Sequence, residues 1–209
     1  MALLHPLSCK SSMATILLLI GLLHIILLQN NGNGGLRLYD ADSNTDVLNA
    51  LRNSNIGVIV DVPNDKLQDL ANPDTANDWV QSNIVPYSDV NFKYVAVGNE
   101  VYPENTSSDY ALAALKNVHA ALSAANKDRI KASTATYSAV LDNTYPPENG
   151  VFKDEAKNLM EPIVQFLAHN NLPLLANIYP YFGCDSAPLS FSLFSDNQLT
   201  EPCRVPKHV

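Results

Sequence analysis

The chain has 209 residues, of which 46% are hydrophobic and 16% are charged, and its formal net charge is -8. This length and composition predict one globular domain with an acidic surface. Nucleic acid is excluded as an expected partner, because binding a phosphate backbone requires clustered Lys and Arg, and the sequence has no such cluster.

The first thirty residues form an apolar leader. Residues 16–28 are interrupted only by Gly21 and His24, and Lys10 precedes them. This run is too short for a comfortable membrane span and is typical of a secretory signal. A signal anchor remains the alternative, because no clear A-x-A cleavage site follows. We therefore predict a signal peptide over residues 1–30, no stable membrane insertion after its removal, and the folded part over residues 31–209.

Strand-like and helix-like segments alternate along the rest of the chain. Strands are predicted at residues 36–39, 56–62, 94–100, 130–135 and 173–179. Helices are predicted at residues 42–53, 77–85, 110–125 and 153–169, the last kinked or divided by Pro162. A further short helix that carries Leu67 and Leu70 is predicted with Asn64 as its cap. This repeat predicts consecutive right-handed βαβ units with a parallel sheet. Five units are too few for a complete (β/α)8 barrel, so the alternatives are a small doubly wound sheet and an incomplete barrel.

Two sequence features bear weakly on the compartment. Cys9 lies in the leader, which leaves Cys184 and Cys203 as a pair that an oxidising compartment would allow to bridge. Neither their spacing nor their neighbours are typical of a metal site. Asn105 begins an Asn-Thr-Ser sequon in a predicted loop and is therefore a candidate glycosylation site of a secreted protein.

The third predicted strand, Y-V-A-V-G-N-E at residues 94–100, ends in a polar pair. Asn99 and Glu100 follow an uninterrupted apolar run that is typical of a strand buried on both faces. The carboxyl ends of barrel strands carry the active site, where a carboxylic acid can protonate a leaving oxygen and an amide can hold a substrate hydroxyl. The alternative is a helix cap or a solvated surface pair.

Six motifs in chain order resemble plant endo-1,3-β-glucanases, glycoside hydrolase family 17, over about residues 36–182. They are R-L-Y-D at 37–40, V-P-N at 62–64, W-V-Q at 79–81, Y-V-A-V-G-N-E at 94–100, Y-P-P at 145–147 and P-L-L-A-N-I-Y-P-Y-F at 173–182. The resemblance implies a retaining (β/α)8 barrel enzyme that hydrolyses internal 1,3-β-glucosidic bonds. It implies 1,3-β-glucan as the partner, and we expect a monomer if the chain folds.

The resemblance also implies roles for individual residues. Glu100 corresponds to the general acid/base, and Asn99 to the group that binds the sugar 2-hydroxyl. Tyr39 and Tyr179 correspond to groups near the cleavage point. The groove-lining positions are Asn177, Tyr181 and Phe182, with core packing as the alternative for the last two. Two-carboxylate hydrolysis uses no cofactor or metal, and we expect Asp40 to support the site and Asp61 to be structural.

The sequence departs from the family pattern at both ends. The S-E-S-G-W-P-like motif that carries the nucleophile is missing, and Asp185, Asp196 and Glu201 stand in unmatched contexts. The opening I-G-V-x-Y-G strand is missing as well. We therefore interpret the chain as a truncated family member with unpaired sheet edges. Three hypotheses follow: a glucanase by descent, a secreted non-catalytic β-glucan-binding protein, and a fragment that does not fold stably. Cell wall, apoplast and vacuole are all possible destinations.

Overall fold

The computed structural model describes residues 34–143 and 149–179, and its centre is a five-stranded parallel sheet. All five predicted strands are present. The sheet strands are β1 (Gly35–Leu38), β2 (Gly57–Val62), β3 (Phe92–Asn99), β4 (Lys131–Tyr137) and β7 (Leu175–Asn177). Strands β5 (Leu141–Asn143) and β6 (Val151–Phe152) pair as a separate two-stranded antiparallel sheet.

The spatial order of the strands decides between the two predicted architectures. Neighbouring strands follow the chain order β1-β2-β3-β4-β7, and every pairing between them is parallel. A doubly wound sheet would reverse its strand order at a switch point, whereas consecutive βα units of a barrel do not. The sheet therefore has the arrangement of an incomplete (β/α)8 barrel. Among the described residues, β1 and β7 each pair on one side only.

Within residues 34–143 and 149–179, five α-helices connect or flank these strands. They are α1 (Thr45–Ala50), α2 (Leu67–Leu70), α3 (Pro73–Asn83), α4 (Ser108–Ala124) and α5 (Asp154–His169). The start of α3 was predicted four residues too late, because Asn72 accepts a hydrogen bond from the Asp74 backbone at 2.9 Å and Pro73 occupies the first turn. Pro162 lies inside a continuous α5 and does not divide it. None of the helices in the described ranges is long and apolar enough to cross a membrane.

Left-handed asparagines end three of the helical segments and direct the chain towards the next strand. Asn53, Asn126 and Asn171 have φ angles of 55°, 56° and 52°. After α4, the Lys127 backbone N–H donates to the Leu122 carbonyl at 2.8 Å, which closes the helix end as asparagine or glycine commonly does at this position. These turns set the entry points of the strands and thus the level at which their carboxyl ends meet.

One continuous apolar core fills the space between the sheet and its helices. Val58, Val60 and Val62 of β2 are fully buried, and Leu115 and Val118 of α4 belong to the same cluster. Alternate β2 residues and one face of α4 supply these side chains, as amphipathic packing requires. The core leaves the carboxyl ends of the strands to carry polar groups.

Candidate active site

The carboxyl end of β3 is distorted in a way that brings Asn99 and Glu100 together. Consecutive strand residues normally point to opposite faces. Here the pairing of β3 with β4 shifts between Ala96 and Asn99, Gly98 has a φ of 82°, and Glu100 is left-handed with a φ of 52°. A bulge of this kind re-aims side chains. As a result, the side chains of Asn99 and Glu100 both contact Asn177.

Glycine is required at position 98 for two reasons. Its positive φ is unfavourable for residues that carry a Cβ. A Cβ at this position would also lie 2.8 Å from Cγ2 of Val101 and 3.2 Å from Cδ1 of Leu67. The glycine in the Y-V-A-V-G-N-E stretch therefore permits the bulge that presents the two polar residues.

The side chain of Asn64 clamps the distorted strand end. Its Nδ2 donates to the Asn99 carbonyl at 2.9 Å, and its Oδ1 accepts from the Asn99 backbone N–H at 2.8 Å. The sequence predicted Asn64 as a helix cap, which is wrong: Asn64 begins a 3₁₀ turn and makes no side-chain capping bond. Because one amide can bond both backbone groups of an extended residue, Asn64 does for Asn99 what a neighbouring strand would do.

Two donors converge on a single oxygen of Glu100. Asn177 Nδ2 donates to Oε1 at 2.5 Å, and the Tyr179 hydroxyl donates to the same Oε1. An oxygen that accepts two hydrogen bonds does not carry the proton of a neutral carboxylic acid, which leaves Oε2 as the protonation site. A carboxyl group held in this way can deliver a proton from a fixed direction.

Arg37 links the ends of four strands and is a residue to which the sequence analysis gave no role. Its Nε and Nη2 donate to the two carboxylate oxygens of Asp61 at 3.0 and 2.6 Å. Its Nη2 also donates to Asn99 Oδ1 at 2.8 Å, and its Nη1 donates to Asn177 Oδ1 at 2.6 Å.

Asp61, expected to be structural, is only 1% exposed. Burial raises the pKa of the Asp61 carboxyl, and the hydrogen bond and charge of Arg37 oppose that rise. One sequence signal could have indicated the role of Arg37. An aspartate inside the apolar β2 run is expected to be buried, and a buried carboxylate requires a cationic partner.

The aromatic residues at the strand ends are accessible. Tyr39 is 61% exposed and Tyr179 is 48% exposed, and the Arg37 guanidinium lies 4.7 Å from the centre of the Tyr39 ring. Tyr137, which the sequence analysis did not select, is the β4 register partner of Asn177, and such partners project from the same face. The centres of the Tyr137 and Tyr102 rings lie 6.5 Å apart in an edge-to-face arrangement. Aromatic rings at this edge offer faces on which sugar rings can stack.

The remaining predicted residues are separate from this cluster or lie outside the described ranges. Asn105 is exposed in a turn after β3. The ranges 34–143 and 149–179 do not include the leader, the Y-P-P motif, Tyr181, Phe182, Cys184, Cys203, Asp185, Asp196 or Glu201.

The tyrosines next to Glu100 provide a titration test of this geometry. The hydrogen bond to Glu100 raises the pKa of Tyr179, with smaller contributions from burial and the Glu100 charge. Burial and then the Glu100 charge raise the pKa of Tyr137. Burial and Glu155 raise the pKa of Tyr102, with smaller contributions from Glu104 and Tyr137, and Glu100 is not among these causes.

In Glu100→Ala, which removes both the acceptor and its charge, we expect the pKa of Tyr179 to fall towards that of a free tyrosine and the pKa of Tyr137 to fall in part. ¹³Cζ NMR titration of the tyrosines measures both, and the pKa of Tyr102 should change least of the three. Because a raised tyrosine pKa favours the folded state below the ordinary pKa, that contribution is lost only as the pH rises through the raised value. An unchanged Tyr179 titration would contradict the hydrogen bond to Glu100.

Fold and site together define a class: a βα-barrel protein with a hydrogen-bonded carboxylic acid and amides at the carboxyl ends of its strands. The chain belongs to the glycosyl hydrolases family 17, whose sequence profile matches residues 24–205. It is 50% identical over 176 residues to the glucan endo-1,3-beta-glucosidase acidic isoform GI9 of Nicotiana tabacum. These aligned residues cover 80% of this chain and 51% of that protein. It is 49% identical to glucan endo-1,3-beta-glucosidase A of Solanum lycopersicum, over 85% of this chain and 54% of that one.

Solved structures give the same assignment. The β-1,3-glucanase and pollen allergen CJP38 of Cryptomeria japonica has a TM-score of 0.76 and 40% identity, covering 85% of this chain and 58% of that chain. A plant beta-glucan endohydrolase structure has a TM-score of 0.73 and 43% identity, covering 77% and 52%. The chain spans about half the length of the curated relatives that it matches.

Proposed function

We propose that the cluster around Glu100 is the acid/base half of an endo-1,3-β-glucanase site, and that the chain acts on 1,3-β-glucan. The observation that carries the proposal is the convergence of Asn177 and Tyr179 on Oε1 of Glu100, which leaves Oε2 to hold a proton. Family membership and the names of the relatives support the substrate class.

In retaining hydrolysis, Glu100 protonates the glycosidic oxygen while the bond from C1 to that oxygen breaks and a second carboxylate attacks C1. Water then attacks C1 and releases the sugar, and Glu100 takes the proton from that water. The two carboxyl groups stand about 5 to 5.5 Å apart in such enzymes. The attacking carboxylate is the partner that the sequence analysis did not find in its family motif.

A second candidate is non-catalytic binding of the same polysaccharide. Asp40 and Asp61 are the carboxylates nearest the ends of β1 and β2, and both are engaged by groups of the chain itself. Asp40 accepts from Ser43 and from the Asp42 backbone, and Asp61 accepts from Arg37. The exposed Tyr39 and Tyr179 remain suited to stacking on sugar rings. These contacts support glucan binding whether or not the bond is cleaved.

The setting proposed for this function is extracytoplasmic. Residues 1–30 act as the signal, Asn105 accepts a glycan, and the protein reaches the cell wall, apoplast or vacuole as a monomer. The exposure of Asn105 is compatible with that modification.

The deciding experiment measures binding and cleavage on the same purified, secreted protein. Affinity electrophoresis and reducing-end release are followed with a linear 1,3-β-glucan, and a linear 1,4-β-glucan is the control polymer. Cleavage of the 1,3-linked polymer supports the glucanase, and binding without cleavage supports the second candidate. A cooperatively unfolding protein that neither binds nor cleaves the 1,3-linked polymer would contradict both.

A further inference from the structure

The contacts of Arg37 determine how two neighbouring amides are oriented. A guanidinium has only donors, so an amide atom within hydrogen-bond distance of it is the oxygen and not the nitrogen. Arg37 Nη2 lies 2.8 Å from one Asn99 side-chain atom, and Nη1 lies 2.6 Å from one Asn177 side-chain atom. Both amide oxygens therefore face Arg37, and both amide nitrogens face away from it.

In this orientation, every hydrogen-bonding group of the Asn177 side chain has a partner within the protein. Its oxygen is bound to Arg37, and its nitrogen donates to Asn99 Oδ1 at 2.9 Å and to Glu100 Oε1 at 2.5 Å. Both amide hydrogens of Asn177 are thus used within the protein. Asn177 is consequently available to hold Glu100 and has no remaining donor for a ligand.

Asn99 is left in the opposite situation. Its oxygen accepts from Arg37 and from Asn177. Its Nδ2 makes no hydrogen bond with residues 34–143 or 149–179 in the contacts that the structure shows. Since Asn64 also fixes the Asn99 backbone on both sides, this nitrogen is a donor of fixed position.

An arginine is needed for this arrangement because one planar group must serve three acceptors. The buried Asp61 carboxylate binds Nε and Nη2 together, which fixes the plane of the guanidinium. The remaining N–H groups then point at the two amide oxygens. A lysine has the same charge but presents a single nitrogen, which cannot maintain contacts in these three directions.

We propose that Arg37, held by Asp61, is a positioning residue that fixes the orientation of the Asn99 and Asn177 amides. Arg37 thereby presents the Asn99 Nδ2 as a donor for the hydroxyl-binding role that the family resemblance already implies for Asn99. The ligand group that fits this nitrogen is a neutral acceptor oxygen, a hydroxyl of the glucan. This inference rests on the proposed function for the identity of the ligand, whereas the orientation of the amides does not depend on it.

The first test uses the free protein and needs no glucan. Side-chain ¹⁵N-¹H resonances of Asn99 and Asn177 are compared in the wild type, Arg37→Lys and Arg52→Lys. Arg52 is a matched control, since it pairs with Asp89 and lies 4.8 Å from the Tyr87 ring, as Arg37 does with Asp61 and Tyr39.

In the wild type, the Asn177 amide should exchange its hydrogens more slowly with solvent than the Asn99 amide. Arg37→Lys should remove that difference and shift both signals, and Arg52→Lys should leave them unchanged. Wild-type-like Asn99 and Asn177 signals in a folded Arg37→Lys protein would overturn the positioning role, as would equal exchange of the two amides in the wild type.

The second test measures affinity for a linear 1,3-β-gluco-oligosaccharide by calorimetry. Arg37→Lys should weaken binding about tenfold or more, and Arg52→Lys should not change it. Asn99→Asp keeps an oxygen for Arg37 but has no amide hydrogens, so it should weaken binding by a similar factor. Undiminished affinity in Asn99→Asp would overturn the donor role. A wild type that does not bind the oligosaccharide would refute the proposed function, while the amide resonances would still decide the positioning role.

Discussion

Under the proposed glucanase function, replacing Glu100 with glutamine is expected to lower the rate of 1,3-β-glucan cleavage by about 10²- to 10⁴-fold while leaving the fold intact. Glutamine has nearly the shape of glutamic acid, and its Oε1 can still accept from Asn177 and Tyr179 as Glu100 does. The variant has no acidic proton to give to the leaving oxygen. Reducing-end release by the wild type and the variant measures the loss.

Glu155→Gln is the matched control for this change. Glu155 also accepts a hydrogen bond from a tyrosine hydroxyl, that of Tyr102 at 3.1 Å, but it belongs to helix α5. Its replacement should leave cleavage unchanged. An equal loss in both variants would indicate general disturbance of the protein and contradict a specific role for Glu100.

The choice of leaving group distinguishes an acid from a residue that only binds. In a dinitrophenyl glycoside of a 1,3-linked disaccharide, the leaving group is dinitrophenolate. This anion is stable enough to depart without being protonated. Glu100→Gln should therefore lose much less activity on this substrate than on the polysaccharide. The comparison uses kcat/KM, which reports the step in which the leaving group departs and not the later attack of water. Equal losses of kcat/KM on the two substrates would show that Glu100 contributes to binding and not to proton donation.

The elements that the sequence predicted are those with strong local signals. Strands β2 and β3 contain continuous apolar runs, and α4 corresponds to a long stretch rich in alanine and leucine. The position of Asn99 and Glu100 at a strand end followed from the same pattern. Local patterns are informative here because buried parallel strands need nearly uninterrupted apolar sequence.

The contacts between strand ends were beyond local patterns. Arg37 lies 24 residues from Asp61, 62 from Asn99 and 140 from Asn177 along the chain. Nothing in the neighbourhood of any one of them identifies the others. Only the order of the strands in the sheet brings them together.

Asn64 illustrates a related difficulty. An asparagine that follows a proline at a strand end can cap a helix or bond to a distant backbone, and the local sequence is the same in both cases. In this fold the distant partner is Asn99, whose backbone N–H and carbonyl lie beyond the last β2–β3 register pair, Val62 with Val97. The competing long-range bond therefore prevailed over the local cap.

Removing the carboxylate of Asp61 is expected to reduce the free energy of unfolding by about 3 kcal/mol, because the change leaves Arg37 charged and unpaired. Asp61 is 1% exposed and Arg37 is 19% exposed, so water can replace the lost partner only in part. Asp89→Ala is the matched control, since Asp89 and Arg52 form a similar pair at 31% and 35% exposure. That change should cost less than about 1 kcal/mol.

Urea unfolding of Asp61→Ala and Asp89→Ala, with the slope m held constant between variants, measures the two losses. Replacing both partners of the buried pair, in Arg37→Met with Asp61→Leu, should recover most of the stability because no unpaired charge remains. The same double variant should still bind 1,3-β-glucan poorly, because methionine cannot donate to Asn99 or Asn177. Recovered stability with weak glucan binding would show that Arg37 contributes separately to stability and to binding. Recovery of both stability and binding would mean that Arg37 serves the fold alone.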